Sequence, residues 1–500
     1  MNLEQGEEIM DESAGVPVLG TRWSSRREED RFVVENPATG EPITIVQGGG
    51  REEIDAAVQA AHAAFNRNWR WLAAKERGRL LIKASGIIRE HAAELAALEC
   101  RENGKPISQA FIDVASCAQL FEYFGELIGN IPGTFLDLSP VYCSVWLEPF
   151  GVVGGILPFN WPPIHTAGKS APALAVGNSM VLKPGEQAPL TVLRIVELLQ
   201  EVFPEDILNA VAGRGPAAGQ ALASHPLVRK LSFTGASATG AAVLKAAADN
   251  LTPVFLELGG KNPLLIFADA DMDAAVAGAI DGAFYNQGEA CTAASRILVE
   301  DSIHDRFVSS LVEAAGRMPV GDGADPATRI GPMVTRQQQQ RVLDYIRIGK
   351  EEGAQVAFEG ELPDDPRLAG GFFVPPTVFV DVRPDMRIAR EEIFGPVTCV
   401  LRFKDEAEAI TLANDTDYGL MAAVYTGSEE RGLRVARRID AGMLHINNYF
   451  RAGFGSPFGG TKASGFGREH CIQTLYEYGW SKSVRTPSGS SPIPKWTIDY

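Results

Sequence analysis

Five hundred residues are enough for roughly two to four domains and a sizeable core. Asp and Glu outnumber Lys and Arg 63 to 46, and the net charge of −17 argues against a nucleic-acid or anionic-membrane partner. Six cysteines without CxxC pairs and seven histidines without an HExxH cluster indicate neither a disulfide framework nor a metal site.

Residues 1–16 are acidic and lack periodicity, which predicts a flexible tail and is the opposite of a targeting peptide. With no apolar run of membrane-spanning length, the expectation is a cytoplasmic protein. Val33–Pro42 reads as a strand entering a turn, and Ile54, Val58, Ala61 and Phe65 form a helical stripe over 51–65. A longer helix carrying Leu80 to Leu98 stops at Asn103-Gly104-Lys105-Pro106. Val141–Leu147 is rich in β-formers. Short apolar strands follow at 152–157, 180–183, 208–212, 231–234 and 254–258, alternating with helical stretches at 191–202 and 217–224. That alternation builds a parallel α/β sheet, whose ligands sit beyond the C-terminal strand ends. The same rhythm returns at 263–267, 273–285, 296–300, 304–317, 336–352 and 377–380, with another strand after Val397. The glycine-rich run 454–467 predicts a loop beside a ligand or interface, without regular structure.

The unusual residues fall at the predicted strand ends. Cys291 lies three residues after Gly288, flanked only by small residues, which leaves its sulfur accessible on a tight turn. Glu257 is a lone acid in an apolar run, where desolvation would raise its pKa toward a general-base value. Taken singly, such a cysteine is more often inert packing and such a glutamate a surface residue. Asn160, between two aromatics and two prolines, is a costly buried amide unless its NH₂ has a partner, and an oxyanion would serve. Gly235 and Gly240 follow a strand and open a helix, placing N–H groups to face a phosphate, and Lys183 and Glu186 follow another strand and are fit to grip a ribose.

As a set these residues resemble the aldehyde dehydrogenase superfamily from about residue 30 to residue 485. The motifs, in order, are Pro158–Pro162, Lys183–Glu186, Phe233-Thr234-Gly235, Leu256–Lys261, Gly288–Cys291, Glu391–Val397 and Pro457–Gly460. The resemblance implies an α/β fold with a Rossmann-like cofactor domain (17–131 and 150–258), an α/β catalytic domain (259–463) and a small β extension for oligomerisation (132–149 and 482–495). It implies Cys291 as nucleophile, Glu257 as base, and Asn160 with the Cys291 N–H as oxyanion hole, with Lys169 and Glu469 relaying protons. NAD would be held by Lys183, Glu186, Phe233, Thr234, Gly235, Ser237, Gly240, Leu258, Glu392 and Phe394, and the substrate by Trp161, His165, Thr292, Phe450 and Phe458. The expected partners are a small-molecule aldehyde and further copies of the chain, as a homodimer or homotetramer.

The expected reaction is oxidation of an aromatic or medium-chain aliphatic aldehyde through a thiohemiacetal and a thioester, in a site that favours the thiolate. Glu186 would accept both ribose hydroxyls and repel a 2′-phosphate, favouring NAD while leaving NADP possible. Three departures from the family pattern matter: Ala236 stands where serine is usual, Phe159 and Trp161 invert the aromatic order around the asparagine, and Trp161 faces small Gly168 and Ala452. The alternatives are a CoA-acylating semialdehyde dehydrogenase, against which Glu257 argues, and a cofactor-independent thiol hydrolase, against which Lys183, Glu186 and Glu392 argue.

Overall fold

A computed structural model describes residues 9–11, 16–449 and 453–493. Ile9–Asp11, inside the expected tail, is an edge strand of a four-stranded sheet, pairing antiparallel with Val16–Leu19, which is followed by Glu41–Gln47 and Arg31–Asn36. Residues 1–8 and 12–15 of that tail lie outside the described residues.

Four helices follow. Arg51–Arg67 carries the predicted stripe inward. The single long helix expected next is two, Ala74–Glu90 and Ala92–Asn103, broken at His91, whose ψ of 14° leaves the helical range. The apolar spacing continues across the break, so periodicity alone does not reveal it. Gly104 (φ 89°) ends the second helix, its N–H donating to the Cys100 carbonyl at 2.9 Å. The fourth helix, Ile107–Ile128, has no clear apolar stripe because much of it is buried, Val114, Cys117, Leu120, Phe121 and Phe124 completely. It crosses Ala74–Glu90 so closely at Gly78 and Gly125 that a Cβ on either would overlap the other's carbonyl.

The next sheet places the cofactor motifs. Its order is Gly465–Phe466, Val254–Glu257, Val228–Thr234, Val152–Ile156, Ser179–Lys183, Leu208–Ala210, with every pair parallel except the Gly465–Phe466 edge. The chain enters at Val152–Ile156, builds outward to Leu208–Ala210, then returns to lay Val228–Thr234 on the other side. The strand order therefore reverses between Ile156 and Phe233, and a crevice opens beyond their C-terminal ends. The antiparallel edge is a correction: the glycine-rich run contributes two-residue strands at Thr461–Lys462 and Gly465–Phe466, the latter opposite Leu256 and Glu257. Glycine allows so close an approach, since a Cβ at Gly465 (φ 105°) would strike the Leu256 carbonyl.

A seven-stranded sheet follows in the order Gln355–Glu359, Thr377–Val380, Val397–Phe403, Arg296–Glu300, Pro263–Ile266, Met421–Tyr425, Met443–Ile446, parallel except at its first pair. A three-stranded antiparallel sheet joins Thr134–Asp137, Val141–Pro149 and Gly479–Pro487, the last beginning three residues before the expected segment. No helix among the described residues is long and apolar enough to cross a membrane.

Candidate active site

The helix Met272–Phe284 runs into a tight turn in which Asn286 (φ 52°), Gln287 (φ 46°) and Gly288 (φ 71°) all take left-handed backbone. That conformation is costly for the first two, and persists because their surroundings hold it. The Asn286 N–H donates to Gln109 Oε1 at 2.9 Å, and a Cβ at Gly288 would overlap the Gly395 carbonyl. The turn delivers Cys291 partly exposed, with Ala290 and Thr292 buried on either side. Asn262 Nδ2 donates to the carbonyls of Cys291 (2.8 Å) and Ala293 (2.9 Å), and Gly260 leaves no room for a Cβ beside the Cys291 carbonyl. The turn that follows Glu257 is thus clamped onto the cysteine loop.

Glu257 ends its strand almost fully buried, with no hydrogen-bond partner for either carboxyl oxygen. A Cβ at Gly459 would lie 2.7 Å from its Oε1, so only glycine fits that face. Burial, then the nearby Glu469 carboxylate, hold the Glu257 carboxyl well above the usual range, against the opposing pull of Lys169 and Arg468. Glu469 goes the other way: burial pushes it up, but Lys169, whose Nζ lies 3.0 Å from its Oε1, and the two neighbouring histidines leave it below the usual range. Lys169 also donates to Ser232 Oγ at 3.1 Å. Burial thus favours the protonated form of Glu257, while the Lys169–Glu469 contact favours the ionised form of Glu469.

The expectation of a thiolate-favouring site is not met. Burial, then the carboxyls of Glu392 and Glu257, push the Cys291 thiol far above its ordinary value, and the N–H groups of Cys291 and Thr292 only partly offset them.

Asn160 is buried at the end of the turn after Val152–Ile156. Its Nδ2 donates one proton to the Glu289 carbonyl at 3.1 Å, and its Oδ1 lies 3.3 Å from His165 Nε2. Burial and the Lys169 charge lower the His165 pKa to about 3, so its ring is neutral.

Lys183 ends one strand of the first parallel sheet, and Phe233 and Thr234 end another. Lys183 Nζ donates to the Pro184 carbonyl at 2.8 Å, and burial lowers its pKa to about 8. Glu186 Oε2 and Thr234 Oγ1 are buried without partners. The helix Ser237–Ala248 starts after Gly235, and Gly240 sits against Leu258 and Phe233 with no space for a side chain. Ser237 turns away, donating to the Ala463 carbonyl at 2.9 Å. Glu392 Oε1 accepts the Gly260 N–H at 3.0 Å, and its pKa rises to about 7 because burial outweighs that bond and the Lys261 charge. Phe394 (φ 62°) is held in left-handed backbone, its carbonyl accepting Gln338 Nε2 at 2.7 Å and its ring edge-on to Phe159 at 5.8 Å. A small pocket lined by Gly260, Gly288, Ala290, Glu392, Phe394 and Gly395 lies between the Glu392 side and the loop that carries Cys291.

The model of the aldehyde dehydrogenase family matches residues 23–484. The chain belongs to the aldehyde dehydrogenase family. It is 54% identical over 475 residues to aldehyde dehydrogenase citD of Monascus ruber, covering 95% of each chain. It is 44% identical over 472 residues to retinaldehyde dehydrogenase 3 of Mus musculus, covering 93% of this chain and 91% of that one. Its fold superposes with a TM-score of 0.90 on the crystal structure of betaine aldehyde dehydrogenase from Staphylococcus aureus in complex with NAD⁺, at 37% identity and 94% coverage of both chains.

In this aldehyde dehydrogenase the substrate-side candidates surround Cys291 unevenly. Trp161 packs on Ala290 and Ala293 near the sulfur, its ring 6.3 Å from His165. Phe458 stacks on His470 at 5.2 Å, and Phe454 meets the same ring edge-on at 5.5 Å. The Thr292 carbonyl accepts the Tyr449 hydroxyl at 2.7 Å, while its own hydroxyl is buried without a partner. Phe450, Arg451 and Ala452 lie outside the described residues. Sequence reasoning missed Lys105, Asn262, Asn286, Glu289 and Gln338, which hold the reactive groups from behind. For Asn262 a signal existed, since it closes the Gly-Gly-Lys turn after Glu257; the others are ordinary polar residues until the fold buries them.

Proposed function

We propose that this aldehyde dehydrogenase oxidises its substrate to the carboxylic acid with NAD as the oxidant, through a covalent adduct on Cys291. The observation that carries the reading is that the Asn160 amide bonds the Glu289 carbonyl two residues before Cys291, while Glu257, buried without a partner and held above its usual range, lies near enough to act on the Cys291 thiol; Glu186 Oε2 and Thr234 Oγ1 are further buried polar atoms without partners. Those atoms fit the cofactor. Glu186 Oε2 lacks a partner that a ribose diol would supply, Lys183 stands beside it, and Gly240 and Leu258 close around the start of the helix that would face the pyrophosphate. Glu392 would take the second ribose and Phe394 the nicotinamide face. Glu186 carries a charge that disfavours a 2′-phosphate, so NAD is preferred over NADP.

The Cys291 sulfur adds to the aldehyde carbon as its S–H proton passes to the ionised form of Glu257, and the charge gathering on the oxygen is met by the remaining Asn160 amide proton and the Cys291 N–H. One such donor is worth about 3–4 kcal/mol of barrier. What the bound nicotinamide supplies is a hydride acceptor for the carbon held on Cys291. Glu257 then takes a proton from the water that attacks the thioester, which requires it first to lose its own; the Lys169–Glu469 contact, both of whose charges act on Glu257, offers the buried route. The thioester carbon–sulfur bond breaks, releasing carboxylate and restoring the thiol.

Trp161, Phe458 and the neutral His165 favour an aromatic or medium-chain aliphatic aldehyde, with Thr292 beside the reacting carbon. Domains at 17–131 with 150–258 and at 259–463 would carry cofactor and nucleophile. The strand extension 132–149, paired with the segment after residue 479, exposes Phe135, Leu138, Trp146 and Trp480, and is the surface we assign to assembly of a homodimer or homotetramer. Six free thiols fit a cytoplasmic setting.

The test is absorbance of the reduced nicotinamide with NAD or NADP across aromatic, aliphatic and carboxylate-bearing aldehydes. Turnover with NAD on the first two classes is expected; turnover only on addition of CoA would replace the hydrolytic reading with the acylating one.

A further inference from the structure

The turn that ends the helix Ala92–Asn103 does more than cap it. Asn103 Nδ2 donates to the Phe159 carbonyl at 2.9 Å, and Lys105 Nζ donates to the next carbonyl, that of Asn160, at 2.9 Å. Lys105 is completely buried, with Nζ 2.7 Å from Glu99 Oε1 and bonded to Asp113 Oδ2. From the other side, Asn286 Nδ2 donates to the same Asn160 carbonyl (3.1 Å) and to the Glu289 carbonyl (3.0 Å). The Glu289 carbonyl is also the acceptor of the Asn160 side-chain amide. Main chain and side chain of Asn160 are therefore tied into one clamp.

Stability does not account for this lysine. A buried ion pair recovers little more than its desolvation cost, and a hydrocarbon of the same volume commonly does as well. What no hydrocarbon does is donate to the Asn160 carbonyl. We propose that Lys105 is a positioning residue that, with Asn286, fixes Asn160 where its amide meets the developing oxyanion. The proposal rests on the reading of Asn160 as that donor.

The test is the rate at which p-nitrophenyl acetate acylates Cys291, read as the nitrophenolate burst, which needs the oxyanion site but neither NAD nor an aldehyde. Asn160→Ala is expected to slow it by about 100-fold or more. Lys105→Met should slow it by about 10- to 100-fold, and Lys105→Arg should recover most of that loss. In the Asn160→Ala background, Lys105→Met should change the rate by no more than about 2-fold, because the group it positions is gone. An equal loss in both backgrounds, or no loss in either, overturns the assignment of Lys105. No effect of Asn160→Ala itself overturns the reading of Asn160 and the positioning role with it. Should Lys105→Met not fold, Asn286→Ala removes the opposite arm and is scored the same way.

Discussion

Glu257 and Glu469 are two neighbouring buried carboxyls whose pKa values are shifted in opposite directions, and the Lys169 contact with Glu469 separates them. Lys169 sits 3.0 Å from Glu469, and Glu257 takes the proton that like charge and desolvation deny it the freedom to lose. Because the Glu257 pKa is raised, the ionised base becomes available only as pH climbs toward it. Thioester hydrolysis is expected to keep rising with pH above the ordinary carboxylate range, and Glu257→Gln should flatten the profile; single-turnover acyl-enzyme decay read at several pH values checks this. Cys291→Ala should abolish oxidation while leaving the NAD dissociation constant within about 2-fold, measured by quenching of tryptophan fluorescence; turnover near wild type would remove Cys291 as nucleophile. At this scale much was legible in the sequence. A lone acid in an apolar run and a cysteine among small residues are anomalies of composition. Lys105 is not, since lysine after a helix-capping glycine is commonplace and only the crossing of Ile107–Ile128 behind it takes it out of water.

Among the elements, turns rather than strands bring the chemistry together. The glycines at 260, 288 and 459 each stand where a Cβ would strike a carbonyl or the Glu257 carboxyl. Gly288→Ala combines that overlap with a φ of 71°, and is expected to destabilise the protein by about 2 kcal/mol or more, seen as a lower denaturation midpoint. A midpoint equal to wild type would show that the Cys291 turn tolerates a side chain. Exchanging Glu186 for Ala should narrow the preference for NAD over NADP, read as the ratio of kcat/KM with each; an unchanged ratio would assign discrimination to another group. The five parallel strands from Val152 to Glu257 stood out because each is a short apolar run between helices and turns. The Gly465–Phe466 edge was hidden: two residues in a glycine-rich run leave no periodicity, and the pairing exists only because Glu257's strand presents an open edge. The buried helix Ile107–Ile128 was obscured for the opposite reason, apolar residues around much of its circumference.

Across the whole molecule, buried carboxyls set a cost that grows with pH. Burial raises Glu102 and Glu392 to about 7 and Glu289 to about 8, against an ordinary value of 4.5. Folded, these groups hold protons that the unfolded chain releases, so the stability they contribute is present in full below about 4.5 and is lost as pH rises through 7 to 8. Glu289→Gln, which keeps an amide in place of the protonated acid, is expected to lose less thermal stability than wild type between pH 5 and pH 8, by on the order of a few degrees in Tm. Parallel Tm curves would mean that Glu289 titrates normally.

The most direct test of the central claim is the mass of intact Glu257→Gln protein after mixing with aldehyde, with and without NAD. The expected result is an adduct on Cys291 equal to the aldehyde less two hydrogens, formed only when NAD is present, because the thioester arises by loss of a hydride and a proton and then persists without its base. An adduct of the same mass formed without NAD, or none with it, would contradict the proposed chemistry.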